Sequence, residues 1–146
     1  AVLTLGADGA LVGSRLWASL EANVSERMHA AAIAATGDDT IRSQVMDLAR
    51  KLDWPSRYTA RVLKNRFIER WHGNESALMQ VADQEAAKYR QAWAEGDPDN
   101  ANTFVGEVAG LIGAIEPAAV IIERMVGDAE GLLTRAGDFL DGCHRT

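Results

Sequence analysis

The 146-residue chain carries 15 Lys and Arg against 21 Asp and Glu, a formal net charge of −6, with 47% hydrophobic and 25% charged residues. This is a globular composition for one domain, not a disordered tail, and the chain is shorter than the roughly 200 residues of a complete eight-stranded α/β barrel. The acidic balance argues against general affinity for nucleic acid or an anionic membrane; the single cysteine, Cys143, excludes an internal disulfide and paired-cysteine metal motifs; no apolar run reaches the roughly 18 residues of a membrane span.

With no disulfide framework, a reducing cytoplasm is the expected compartment. The opening Ala1-Val2-Leu3-Thr4-Leu5 has no basic leader region and no initiator Met. It is expected to be the cut end of a longer apolar element and not a signal peptide. Gly6-Ala7-Asp8-Gly9 is a turn cluster, and Ala10-Leu11-Val12-Gly13 is an apolar run bounded by glycines, which predicts a short buried strand of a parallel sheet. Such a strand needs neighbours for its N–H and C=O groups, and nothing from Leu16 onward offers a comparable partner.

Ser25 is a good N-cap, with Glu26 in the first turn, for an Ala-rich helix over Arg27–Thr36 stopped by Gly37. Thr40–Val45 partly alternates and predicts a short strand. Trp54-Pro55 breaks the chain. Tyr58–Trp71 predicts a helix in its second half, ended by Gly73-Asn74. Asn74 or Ser76 then caps a helix to about Glu95, with Leu78, Val81, Ala82, Tyr89 and Trp93 on one face. Gly96-Asp97-Pro98-Asp99-Asn100 is the clearest loop, and Phe104–Ile115 is an apolar stretch punctuated by Gly106, Gly110 and Gly113. Pro117 suits the first turn of a final helix whose buried side is Ala119, Ile122, Met125, Val126, Ala129, Leu133 and Ala136. Residues 138–146 read as a frayed tail. The expected shared helical core includes Ile33, Leu78, Val81, Ile122, Met125 and Leu133.

Three constellations carry chemistry. In Gly13-Ser14-Arg15, a glycine closing a strand lets a ligand approach the backbone, and Ser14 adds a hydroxyl at a helix start; this is how α/β folds hold phosphate, although an ordinary strand-to-helix turn has the same look. Arg57, Arg61, Lys64, Arg66 and Arg70 form a basic cluster, but Glu69 lies among them and Tyr58, Phe67 and Trp71 have core spacing, so a salt-bridged face is favoured over a nucleic-acid surface. The glycines of Phe104–Ile112 let a backbone approach either a flavin ring or another helix, the helix being favoured by sequence alone. His29, His72 and His144 have no ligand or triad spacing, so no metal site and no general base is assigned.

Three blocks in order resemble the carboxy-terminal part of the nitronate monooxygenases and their FMN-dependent enoyl-acyl-carrier-protein reductase relatives: Leu5–Arg15, then Arg61–Phe67 with Trp71-His72-Gly73, then Gly106–Ile112. The resemblance implies a mainly α chain: the last strand and helix of an FMN-binding TIM barrel over residues 1–24, then a mainly helical appended domain over 25–137, with the closing helix 117–137 able to pack back on the barrel. It implies that Gly13 and Ser14 hold the FMN phosphate, Ser14 standing where the family usually has Thr. It also implies that Gly106 and Glu107 face the substrate pocket, Glu107 standing where the family commonly has Gln. The family's catalytic histidine lies upstream of these residues, so none of the catalytic groups is expected here.

The resulting reading is a segment of an FMN-dependent nitronate monooxygenase, with a small-molecule substrate and molecular oxygen as partners. It is expected to be inactive on its own, and a homo-oligomer is compatible with it. The alternatives are an FMN-dependent enoyl reductase and a non-catalytic helical interaction module. A yellow protein that releases flavin on denaturation separates the enzymes from the module.

Overall fold

A computed structural model describes residues 1–143. Residues 1–6 curl through turn bonds such as Leu5 N to Ala1 O at 3.1 Å, and Ala10–Gly13 is irregular instead of a strand. Ala10, Leu11 and Gly13 are exposed and Val12 is half-buried. The physical reason is the one that makes an isolated strand unstable: no described strand lies beside this run to take its N–H and C=O groups. Helix α1 (Ser14–Trp17) follows at once, as a short turn of four residues.

Helix α2 (Glu26–Ala34) starts where Ser25 predicts, with the Ser25 hydroxyl accepting the Met28 N–H at 3.2 Å. It ends two residues before the expected Thr36, and Ala35 is already extended. A 3-10 turn, Gly37–Asp39, then leads into β1 (Thr40–Ser43). Strand β1 pairs antiparallel with β2 (Ala60–Leu63), Thr40 opposite Leu63 and Ser43 opposite Ala60. The expected strand is therefore present, and its partner occupies the first half of the Tyr58–Trp71 segment. Helix α4 (Arg66–Trp71) fills the second half. Asn65 caps it, accepting from Ile68 N at 2.9 Å and donating to the carbonyls of Pro98 and Ala101 at 2.8 and 2.7 Å.

Between the strands lies α3 (Val45–Ala49), which the periodicity does not reveal because it is only five residues long. Val45, Met46 and Ala49 are fully buried, at the centre of a core that also holds Met28, Val62, Phe67, Leu78 and Tyr89. Its end is a paired closure: Leu52 N bonds Asp47 O at 2.9 Å, Lys51 N bonds Leu48 O at 3.0 Å, and Lys51 takes φ 57°. The long helix expected over 74–95 is broken at Val81 into α5 (Glu75–Gln80) and α6 (Ala82–Ala94). The bend lets both pieces pack on α3. Tyr89 is buried as expected, but Trp93 is exposed, and Ala86 and Ala92 are buried in its stead.

Helix α7 (Ala118–Cys143) begins after Pro117 and runs past the expected end at 137. Residues 144–146, including His144, lie outside the described residues. The expected buried side is corrected: Ala119, Ile122, Met125, Val126, Leu133 and Ala136 are exposed, Ala129 is half-buried, and among residues 118–137 it is Ile121 that is buried. An apolar helical stripe predicts a buried face only where something lies against it, and the described residues pack against the first turns alone.

A second, smaller cluster positions the site. Ala18, Ala32, Leu63, Val105, Ala109 and Ile112 pack together, with Trp17 beside them. It joins α1, α2 and β2 to the 3-10 turn Glu107–Leu111.

Candidate functional site

Gly13 closes the irregular opening segment with φ −103° and ψ −84°, and a Cβ built on it meets nothing within 4 Å. The space beside this backbone is open. The Ser14 oxygen accepts the Gly106 N–H at 2.9 Å, which leaves its own O–H free to donate. A Cβ on Gly106 would stand 3.2 Å from that oxygen, tighter than ordinary contact, so the two segments meet closely because residue 106 is glycine. The N–H groups of Ser14, Arg15 and Leu16 precede the first bond of the turn, Trp17 N to Gly13 O at 2.9 Å, and so are not used by it.

Glu107 is adjacent and 70% exposed, with Arg61 Nη2 at 2.9 Å from its Oε1. Arg61 Nη1 donates to Thr40 Oγ1 at 3.0 Å, and that hydroxyl donates to Gly37 O at 2.7 Å. An exposed pair of this kind adds little stability; its consequence is to orient and neutralise the carboxylate. Gly37 permits the approach of the whole turn, since a Cβ there would lie 2.8 Å from the Glu107 carbonyl oxygen.

Further bonds hold the same two segments in register. Arg15 donates to the carbonyls of Ala18 and Ala114, at 3.1 and 3.2 Å, and to the Glu116 carboxylate. Arg124 donates to both Glu116 oxygens, at 3.0 and 2.6 Å, and Leu20 N bonds Glu116 O at 3.1 Å. Hydrogen bonding from Arg124, joined by the charges of Arg124 and Arg15, holds the Glu116 carboxyl below the usual carboxylate range. Glu21 takes the Ala118 N–H at 2.8 Å.

The sequence-derived candidates thus converge in part. Ser14 bonds Gly106 directly, Gly13 and Glu107 are their chain neighbours, and all four lie where segments 13–20 and 106–118 meet. The sequence reading missed Arg61 as a partner of Glu107: it lies in the basic cluster, and nothing in that cluster marks one cation as different. The cluster itself is engaged in protein contacts. Arg57 lies over Tyr58, Arg61 meets Glu107, Lys64 donates to Asp38 O, and Arg66 and Arg70 face Asp99 and Glu85. His29 bonds the Trp17 carbonyl at 3.1 Å and His72 lies 3.0 Å from Ser43 Oγ, so both have structural partners. Among the described residues no group of three or more His, Cys, Asp or Glu is placed to hold a metal, and no helix is long and apolar enough to cross a membrane.

A family model described as nitronate monooxygenase matches residues 1–128. The nitronate monooxygenase npaC of Metarhizium robertsii is 31% identical over 142 residues, covering 92% of this chain and 38% of its own length. Among solved structures, FabK from Thermotoga maritima superposes with TM-score 0.73 at 25% identity, covering 94% of this chain and 42% of that one. A point mutant of the same FabK gives TM-score 0.66 at 25% identity, with 94% and 38% covered. The chain therefore spans about two fifths of the length of these relatives.

Proposed function

The chain belongs to the nitronate monooxygenase family, a family of oxidoreductases, and from that we propose that it is the carboxy-terminal portion of an FMN-dependent enzyme that oxidises alkyl nitronates to carbonyl compounds and nitrite. In this reading residues 1–24 close a flavin-binding barrel, and 25–137 form the appended helical domain. The observation that carries it is the Ser14–Gly106 bond, which brings together the two segments assigned to cofactor and substrate.

The residues present fit a phosphate. Open space beside Gly13, unused N–H groups after it and a Ser14 O–H free to donate make a donor set with no competing acceptor in its own bonds. FMN bound there supplies the electron transfer that amino-acid side chains do not. The chain's own work is positional. Gly13 and Ser14 anchor the phosphate end, and the Ser14–Gly106 bond fixes the Gly106–Glu107 backbone relative to that anchor. Arg61 offsets the Glu107 charge, so that an anionic nitronate is not repelled. The group that moves the substrate proton lies outside these residues.

Expressed with the upstream segment this reading requires, the protein binds FMN and releases nitrite from an alkyl nitronate in the presence of oxygen; the 146 residues alone bind FMN weakly and release none. A longer protein without flavin or nitrite production overturns the reading, and robust turnover by the 146 residues overturns the placement of the catalytic group. A second reading, FMN-dependent reduction of enoyl-acyl-carrier-protein substrates, is favoured by the likeness to FabK. NAD(P)H oxidation coupled to an enoyl thioester, with no nitrite from nitronates, would select it.

A further inference from the structure

Trp54 is singled out by the sequence as a chain break, yet nothing in the functional reading uses it. It stands 60% exposed on the loop between α3 and β2, with its ring set edge-on to Tyr58 at 6.2 Å. Tyr58 is held in turn by Arg57, whose guanidinium lies 4.8 Å from the ring centre and donates to the phenol oxygen at 3.1 Å. These two aromatics line an open groove of about 380 Å³, together with Leu52, Phe104, Arg50 and Asp47. The volume is that of a site for a small organic molecule. Leaving Trp54, Tyr58 and Leu52 bare together costs free energy, and the arrangement is one that exposed binding surfaces share.

Arg50 gives the groove its chemistry. Its guanidinium lies 5.8 Å from the Phe104 ring centre and makes no side-chain hydrogen bond among the described residues. Its nearest carboxylate, Asp47, stands 3.8 Å away, beyond hydrogen-bond length. The planar donor fork is thus held in place by stacking and charge while its N–H groups remain unspent. Arg50 also borders an adjoining cavity of about 240 Å³, lined by Tyr89, Arg90 and Trp93.

We propose that this groove binds a small organic anion with a planar head and an apolar body, the head taken by Arg50 and the body lying among Trp54, Tyr58 and Phe104. Aromatic carboxylates are the simplest members of that class, and benzoate is the probe. Nitrogen-15 NMR of the 146-residue protein follows the Trp54 indole N–H, with that of buried Trp71 as the reference. Benzoate shifts the Trp54 resonance saturably and leaves Trp71 in place. Benzyl alcohol, which keeps the ring and lacks the charge, binds about tenfold more weakly or less. Arg50→Gln weakens benzoate by about the same factor and leaves benzyl alcohol unchanged, while Trp54→Ala weakens both. Absence of a saturable Trp54 shift, equal affinity for the neutral alcohol, or undiminished benzoate binding by Arg50→Gln overturns the proposal. The titration involves neither flavin nor turnover, so its outcome is independent of the nitronate reading.

Discussion

The Ser14 hydroxyl oxygen accepts the Gly106 backbone N–H at 2.9 Å, joining segments that stand 92 residues apart in the chain. One side chain thereby tethers the two segments, and under the proposed reading its free O–H would also donate to the phosphate. Ser14→Ala removes both roles. In the flavin-binding protein it is expected to weaken FMN by roughly 1.5–3 kcal/mol, the worth of one charge-assisted hydrogen bond. Flavin fluorescence titration reads this directly, and an unchanged affinity removes Ser14 from the phosphate site.

Gly13 and Gly37 separate folding from binding. A Cβ at Gly13 meets nothing within 4 Å, whereas one at Gly37 falls 2.8 Å from the Glu107 carbonyl oxygen, a backbone atom that moves only with its turn. Gly37→Ala is therefore expected to destabilise the chain by about 1–3 kcal/mol. Gly13→Val should leave the melting temperature near that of the parent and still block flavin, because it fills the approach and not the core. Paired thermal denaturation and flavin titration test both, and a Gly13→Val protein that binds FMN normally would place the cofactor elsewhere.

How much of this was legible beforehand depends on what each signal measures. The Ser25 cap, the β1 alternation and the α4 spacing are local, and all three elements formed. Helix α3 was not legible because five residues show too little of a 3.6 period, and its end carries Lys51 where glycine is the usual sign. The bare face of α7 was not legible either: a stripe of Ile122, Met125 and Leu133 reports what a helix can bury, not what lies opposite. At the candidate site, a glycine and a hydroxyl at an expected helix start single out Gly13 and Ser14, but the bond from Gly106 N–H to Ser14 Oγ is not encoded by any spacing. The Arg61–Glu107 pair depends on how β2 packs beside the 3-10 turn, and no spacing encodes that.

Two buried carboxylates should respond to pH in opposite senses. Burial raises the Glu85 carboxyl, but hydrogen bonds from Lys88 and Trp71 and the charges of Lys88 and Arg70 outweigh it and hold the group below its usual range. Its contribution is then present above the unfolded-state value and lost as pH falls through the lower folded one. Asp47 is the reverse: burial raises its carboxyl, only partly opposed by Arg50. Its effect favours the folded state in acid and is lost as pH rises through the raised value. Asp47→Asn should therefore stabilise the chain at neutral pH, and Glu85→Ala should destabilise it by about 1–3 kcal/mol by leaving the Trp71 indole N–H without its acceptor. Urea melts at acid and neutral pH decide; a stabilising Glu85→Ala would mean that the ion cluster costs more than it returns.

Lys51 closes α3 in the left-handed region, at φ 57°, between two helix-ending hydrogen bonds. A lysine there bears a backbone cost of about 1–2 kcal/mol that glycine does not. Against that relief, Lys51→Gly loosens the unfolded chain and removes the contact with Asp83. Both Lys51 and Asp83 are largely exposed, so that contact adds little to stability. The terms nearly cancel, and Lys51→Gly is expected to match the parent or exceed it by up to about 1 kcal/mol. Lys51→Val loses the same contact and adds a β-branched side chain, which tolerates positive φ poorly, so it should fall below both. The order Gly, Lys, Val in urea midpoints tests the geometry of the turn that carries Arg50. A valine variant as stable as the parent would mean that residue 51 has left the left-handed region, and with it the placement of the neighbouring guanidinium.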